Sequence, residues 1–130
     1  MNTIYKIGAI ILNSKRILIG KKGSKFIIPG GKIEEGENHE ECLKRELKEE
    51  LGVDLISQEF FGTFEDDAAL DPGMKIKMDV YIANVEGEPK ASSEIEKLMY
   101  LGSKNQRDIK LGSILEKFVI PKLLNKGLID

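Results

Sequence analysis

The apolar positions change their period along the chain, and each change marks an element. Ile4 to Leu12 (IYKIGAIIL) is rich in β-branched residues and almost continuously apolar, which predicts a strand buried on both faces, or nearly so. Asn13-Ser14-Lys15 is turn-like, and Arg16 to Lys21 (RILIGK) predicts a second strand. Phe26-Ile27-Ile28 is a short strand cut off by Pro29-Gly30-Gly31. The period then lengthens. From Asn38 to Leu51 the apolar residues Leu43, Leu47 and Leu51 recur one helical turn apart. Asn38 suits the N-cap, with Glu41 three residues on completing a capping box and Glu40 and Glu41 in the first turn, and Gly52 suits the C-terminal stop. Strand patterns return at Leu55 to Glu65 and Lys75 to Val85, with Asp71-Pro72-Gly73-Met74 between them as a type II turn. A short strand around Leu98 to Leu101 and a helix from about Ser113 to Asn125 complete the chain, Pro121 kinking or restarting that helix before Gly127. Strands, helix, strands, helix imply a mixed sheet with helices packed on it.

Composition narrows the class. At 130 residues the chain predicts one domain, residues 1–130, with one core. Apolar residues make up 41% and charged residues 32%, which argues against disorder. The 20 basic and 22 acidic residues leave no basic excess of the kind a nucleic-acid binder shows. The single cysteine, Cys42, forms no intramolecular disulfide and no cysteine-rich zinc site. The longest early apolar run, Ile7 to Leu12, is too short for a signal-peptide core, and nothing approaches a membrane span. The expectation is a cytoplasmic protein.

Candidate chemistry lies between Gly30 and Val53. On a wheel with Leu43 at zero, Leu47 and Leu51 fall at about 40° and 80° and form the core stripe. Glu41, Lys44, Arg45 and Lys48 fall on an ordinary solvated arc, where Glu40 with Lys44 and Glu41 with Arg45 have the favourable i,i+4 spacing. Glu49, Glu46 and Glu50 fall at about 240°, 300° and 340°, one acidic arc whose last member borders the core. Like charges a turn apart repel, and a carboxylate beside the core loses water. A hard divalent cation with oxygen ligands compensates for both, while a purely structural acid cluster is the alternative. Pro29-Gly30-Gly31 fits either a plain tight turn or a backbone that must approach a ligand closely.

The fixed positions are Gly31, five residues, Glu37, seven residues, Arg45-Glu46-Leu47, one residue, Glu49-Glu50, one residue, and Gly52-Val53. This 23-residue pattern is similar to the Nudix box with every fixed position filled, and the strand order around it resembles the Nudix domain over nearly the whole chain. The resemblance implies a three-layer α/β/α sandwich with a mixed sheet. It also implies hydrolysis of a nucleoside diphosphate linked to another group, with Mg²⁺ or Mn²⁺. By the match Glu46, Glu49 and Glu50 are metal-ligand carboxylates, the Gly30 carbonyl is a further ligand, and Glu37 with Arg45 is the pair that orients the acidic arc. Family members draw the general base from the box or from a downstream loop. Here that loop contains Glu94 and Glu96 (SSEIEK), with Glu94 preferred.

The expected activity is that of the MutT-like kind, a nucleoside triphosphate cut to nucleoside monophosphate and pyrophosphate. Hydrolysis of ADP-ribose or a nucleotide sugar is the alternative, followed by a non-catalytic nucleotide sensor. The expected partner is a small-molecule nucleotide, not a nucleic-acid polymer or a membrane, and the chain is expected to be a monomer or homodimer. Glu86 to Pro89 (EGEP) also resembles the oxidised-guanine triphosphatases. The base-reading asparagine those proteins carry before the last helix has no counterpart in Asp108 to Gly112, Asn105 being nearest, and Pro72 lies too far on for the proline of some ADP-ribose hydrolases. Other residues carry bland expectations: His39 exposed, Cys42 a buried or half-buried thiol, Phe60, Phe61, Phe64, Tyr81 and Tyr100 core aromatics, and Lys117, Lys122 and Lys126 a solvated helix face.

Overall fold

The computed structural model describes residues 2–68, 72–102 and 109–130. The first apolar run splits in two. β1 (Thr3–Ile10) joins one sheet and β2 (Leu12–Asn13) joins the other, with Ile11 at the crossing. Ile7 to Ile11 are buried, but Tyr5 is exposed, so burial on both faces holds only for the second half of the run. The hairpin strands β3 (Arg16–Lys22) and β4 (Lys25–Ile27) follow, then β5 (Gly30–Lys32), α1 (His39–Leu51), β6 (Asp54–Asp67), β7 (Lys75–Glu86) and β8 (Lys97–Leu101).

Two four-stranded sheets take the place of the single expected one. The first has the order β5-β1-β7-β6, with β1 and β7 parallel and the other pairs antiparallel. In the second, β3 pairs antiparallel with β2, β4 and β8. Alternation along β1 and β3 feeds two cores. Ile7, Ala9, Ile11 and Leu18 pack with Leu43, Leu47 and Leu51 of α1. Ile10, Ile17 and Ile19 pack with Leu115, Val119, Ile120 and Leu123 on the opposite side. The layers are therefore α/β/α, as the resemblance implies.

The capping chemistry of α1 is present in full. The Asn38 side chain accepts from the Glu41 amide, the Glu41 carboxylate accepts from the Asn38 amide, and Gly52 is left-handed at φ 69°. The last helix departs from a simple kink. Leu115–Val119 forms a π-helical turn, in which the Ile120 amide bonds to the Leu115 carbonyl, and α2 (Ile120–Asn125) restarts beyond it. Pro121 has no N–H to continue the earlier ladder, and it sits in the first turn of α2, where none is needed. Gly73, at φ 83°, fits the third position of the expected turn; Asp71 lies outside the described residues, as do Asn105 and Asp108. Among the described residues no helix is long and apolar enough to cross a membrane.

Candidate functional site

α1 lies across the sheet with its leucine stripe in the core, and that fixes where its acids point. Glu50 borders the stripe and is 5% exposed, the one buried charged or polar side chain among the described residues. Its Oε1 accepts a 2.9 Å hydrogen bond from the Gly30 amide. Burial pushes the Glu50 carboxyl up to about 7; the neighbouring Glu46 charge adds to this, while the Gly30 hydrogen bond and the Lys22 and Lys6 charges oppose it. Glu46, Glu49 and Glu50 line one open cleft together with Gly30, Gly31 and Glu94. The structure thus brings together the acidic arc, the glycine turn and the downstream loop.

Arg45 departs from its wheel position. Its long side chain leaves the solvated arc and makes no pair with Glu41, whose carboxylate is used by the capping box. The guanidinium holds Glu37 through two bonds, Nε to Oε2 at 2.6 Å and Nη2 to Oε1 at 2.9 Å, and Nη2 also donates to the Lys32 carbonyl at 3.0 Å. Nη1 reaches Glu46 at 2.8 Å and Glu49 at 3.4 Å. The acidic arc therefore has a cation within it, supplied by a residue the wheel put outside. The Arg45 bonds, with the Glu34 amide behind them, hold the Glu37 carboxyl at about 2, well below the usual range.

These residues suit a hard divalent cation: every donor is an oxygen, and the buried Glu50 carboxylate gains most from a positive charge beside it. Among the described residues no three such groups converge on one point, and Arg45 engages one oxygen of Glu46 and one of Glu49.

The downstream loop is built to aim one acid. Ser93 is left-handed at φ 59°, Ile95 is buried, and the Ser92 amide bonds the Glu50 carbonyl at 3.0 Å. Glu96 is used up by the hairpin, its Oε2 accepting from the Gly23 amide at 3.2 Å. Glu94 faces the cleft and pairs with Lys22 at 2.8 Å, and Lys22 lowers the Glu94 pKa. Of the two acids, Glu94 is the one that lines the cleft.

Beside the acidic cleft opens a slot lined mainly by apolar side chains, among them Ile27, Ile28, Ile76 and Met78. Lys6, Lys22 and Gly30 line both spaces. The sequence reading missed both lysines. The available signal was Lys6 itself, a charge set in an otherwise apolar strand.

Two bland expectations, those for Phe60 and Lys122, need correction. His39 keeps a side chain 41% exposed, and there its Nδ1 and the Tyr81 hydroxyl share a 2.7 Å hydrogen bond, with the rings edge to face. Phe60 is 57% exposed, so it is not a core aromatic, whereas Phe61 is buried. Lys122 donates to the Phe61 carbonyl and lies over that ring, 4.6 Å from its centre. Lys117 and Lys126 are exposed as expected, Lys117 pairing with Asp66 at 3.0 Å. Cys42 is fully buried, and burial pushes its thiol up to about 11, which leaves it inert.

The NUDIX domain family matches residues 3–103. An 8-oxo-dGTP diphosphatase of Buchnera aphidicola is 38% identical over 60 residues, 42% of this chain and 46% of that protein. One of Haemophilus influenzae is 46% identical over 37 residues, 28% of this chain and 27% of that protein. The chain thus spans less than half the length of these two relatives. The MutT NUDIX hydrolase structure from Burkholderia pseudomallei superposes with a TM-score of 0.69 at 28% identity, covering 78% of this chain and 84% of that one. A MutT structure from work on Aliivibrio salmonicida and Vibrio cholerae gives 0.76 at 24% identity, covering 96% and 99%. A family match over most of the chain, on a fold that sets a buried glutamate and a glycine turn in one cleft, leads to one assignment: the chain belongs to the NUDIX domain family.

Proposed function

We propose that the protein is a metal-dependent pyrophosphohydrolase that cuts a nucleoside triphosphate to nucleoside monophosphate and pyrophosphate. One observation carries the reading: a carboxylate cleft containing the buried Glu50 opens beside an apolar slot, and the two share Lys6, Lys22 and Gly30. The slot's apolar walls match the chemistry of a base, and a phosphate chain would extend from there into the cleft. Glu46, Glu49 and Glu50, with the Gly30 carbonyl, would hold Mg²⁺ or Mn²⁺. When bound, such an ion neutralises charge on phosphate oxygens and lowers the pKa of water. Arg45, locked by Glu37 and the Lys32 carbonyl, fixes the orientation of Glu46 and Glu49. Glu94 takes the proton as water attacks phosphorus, and the protein otherwise positions and stabilises.

The names of the two curated relatives put 8-oxo-dGTP at the head of the substrate panel. The test is a panel of nucleoside triphosphates, that one included, with dinucleotides and nucleotide sugars, assayed with Mg²⁺ and with Mn²⁺ and read by product identity. Monophosphate and pyrophosphate from a triphosphate are expected. Turnover of ADP-ribose or a nucleotide sugar alone would replace this substrate class, and no turnover at all would leave a nucleotide sensor.

A further inference from the structure

Lys6 on β1 and Lys22 at the end of β3 stand on the boundary between the slot and the cleft, and the mechanism above leaves them without a task. Among the described residues only Gly30 shares that position. Any ligand spanning both spaces passes these two ammonium groups. Lys22 is the sheltered member of its ion pair, with its side chain 22% exposed, while the Glu94 side chain is 70% exposed. An ion pair with one partner so open to water is weak and exchanges readily. A polyphosphate oxygen, sheltered in the cleft, is the stronger competitor for the same ammonium. The exchange needs no loop movement. Ile95 is buried against Gly20, the Glu96 amide bonds the Lys21 carbonyl at 2.9 Å, and the Gly23 amide bonds the Glu96 carboxylate. Only the Glu94 side chain has to turn.

We propose that the substrate's phosphate chain crosses from slot to cleft between Lys6 and Lys22, and that Lys22 exchanges Glu94 for a phosphate oxygen, freeing the Glu94 carboxylate for the attacking water. This rests on the triphosphate reading above. It makes Lys22 a positioning residue that couples binding to the release of the base, and it makes Glu94 a competitor of the substrate before it becomes useful to the reaction.

The experiment measures the Kd of an α,β-methylene nucleoside triphosphate with Mg²⁺ by calorimetry, alongside kcat and KM for the triphosphate the panel identifies. Lys22→Met and Lys6→Met should each weaken binding about ten- to a hundredfold, the range for a lost charge-assisted hydrogen bond, and Lys22→Arg should restore most of the Lys22 loss. Glu94→Gln should lower kcat yet tighten binding by about 1.5- to fivefold, because the competitor for Lys22 is gone. That gain should vanish in the Lys22→Met, Glu94→Gln double variant. If Lys22 merely props up the loop, Glu94→Gln does not tighten binding, and the proposal falls. It also falls if a folded Lys22→Met binds the analogue as the wild type does. If Lys22→Met fails to fold, Glu94→Gln alone decides. A wild type that hydrolyses no triphosphate sinks the substrate reading, whereas a turning-over wild type with unchanged variant affinities sinks only the exchange.

Discussion

The carboxylate of Glu46 occupies the space where a β-carbon on Gly31 would stand. All three nearest atoms to that position belong to the Glu46 carboxyl group, inside van der Waals contact. Gly31 is not among the glycines with positive φ, so space and not backbone conformation calls for a glycine there. The glycine lets the strand pass directly under a cleft carboxylate, and it ties one position of the turn to one residue of α1.

Gly31→Ala should therefore fold and lose activity. The obstruction is the end of a flexible side chain, so Glu46 swings aside and the backbone stays. A displacement of about 1 Å at a reacting centre costs about a hundredfold in rate. Matched thermal melts and a kcat/KM ratio check this, and unchanged turnover would remove Glu46 from the site.

Gly30→Ala should behave in the opposite way. Gly30 has φ 150°, and a β-carbon there meets the Ile7 carbonyl and the Gly8 backbone. Backbone cannot swing aside, so strain of about 1–3 kcal/mol or more falls on stability. Urea denaturation should show a lower midpoint with an unchanged slope.

Glu50→Gln should reduce kcat far more than it changes KM, because a carboxylate that organises the reacting groups acts mainly in the transition state. It should also remove a pH dependence of the metal-free protein. The Glu50 carboxyl stands at about 7 folded against an ordinary 4.5. The folded state thus binds this proton more tightly than the unfolded chain does. Its contribution is fully present below about pH 4.5, is lost as pH rises through about 7, and amounts to at most about 3 kcal/mol. Melts in EDTA across that window should slope downward in the wild type and flatten in Glu50→Gln, which should be no less stable at pH 8. A wild type without the slope would mean that Glu50 is not desolvated as described.

Arg45→Lys should lose most activity although net charge is kept, since lysine cannot span both Glu37 oxygens and reach Glu46 as well. A double-mutant cycle with Glu37→Gln separates joint from independent action. A double variant no worse than either single one is expected. Losses that multiply would show that the two residues work separately.

Asp66 fastens the end of β6 to the last helix, accepting from the Ser113 hydroxyl and pairing with Lys117. The Ser113 and Lys117 hydrogen bonds hold its carboxyl at about 2 against an ordinary 3.8. The sign is opposite to that of Glu50: the contribution is present above about pH 3.8 and is lost as pH falls through about 2. Asp66→Asn should lower the melting temperature at pH 6 and narrow the difference from wild type at pH 2. An equal difference at both values would mean that the charge is not what holds the helix.

Sequence alone determined whatever depends on neighbours along the chain. The cap at Asn38, the stop at Gly52, the leucine stripe of α1 and the alternation of β1 follow from local hydrogen bonding and from periods of 3.6 and 2, so they were legible. The box spacing placed Glu46, Glu49 and Glu50 on one arc for the same reason. Tertiary structure decided what depends on reach. A helical wheel assigns Arg45 the direction of its Cα–Cβ bond, but its guanidinium lies several bonds further out and goes where Glu37 and the Lys32 carbonyl wait. The segment from Gly30 to Glu37 had to lie against α1 before that place existed. Likewise, no local pattern announces that Lys6 and Lys22 meet on one boundary, or that Glu94 returns from the far end of the chain to join them, because burial and pairing across such separations come from packing the two sheets and not from any single strand.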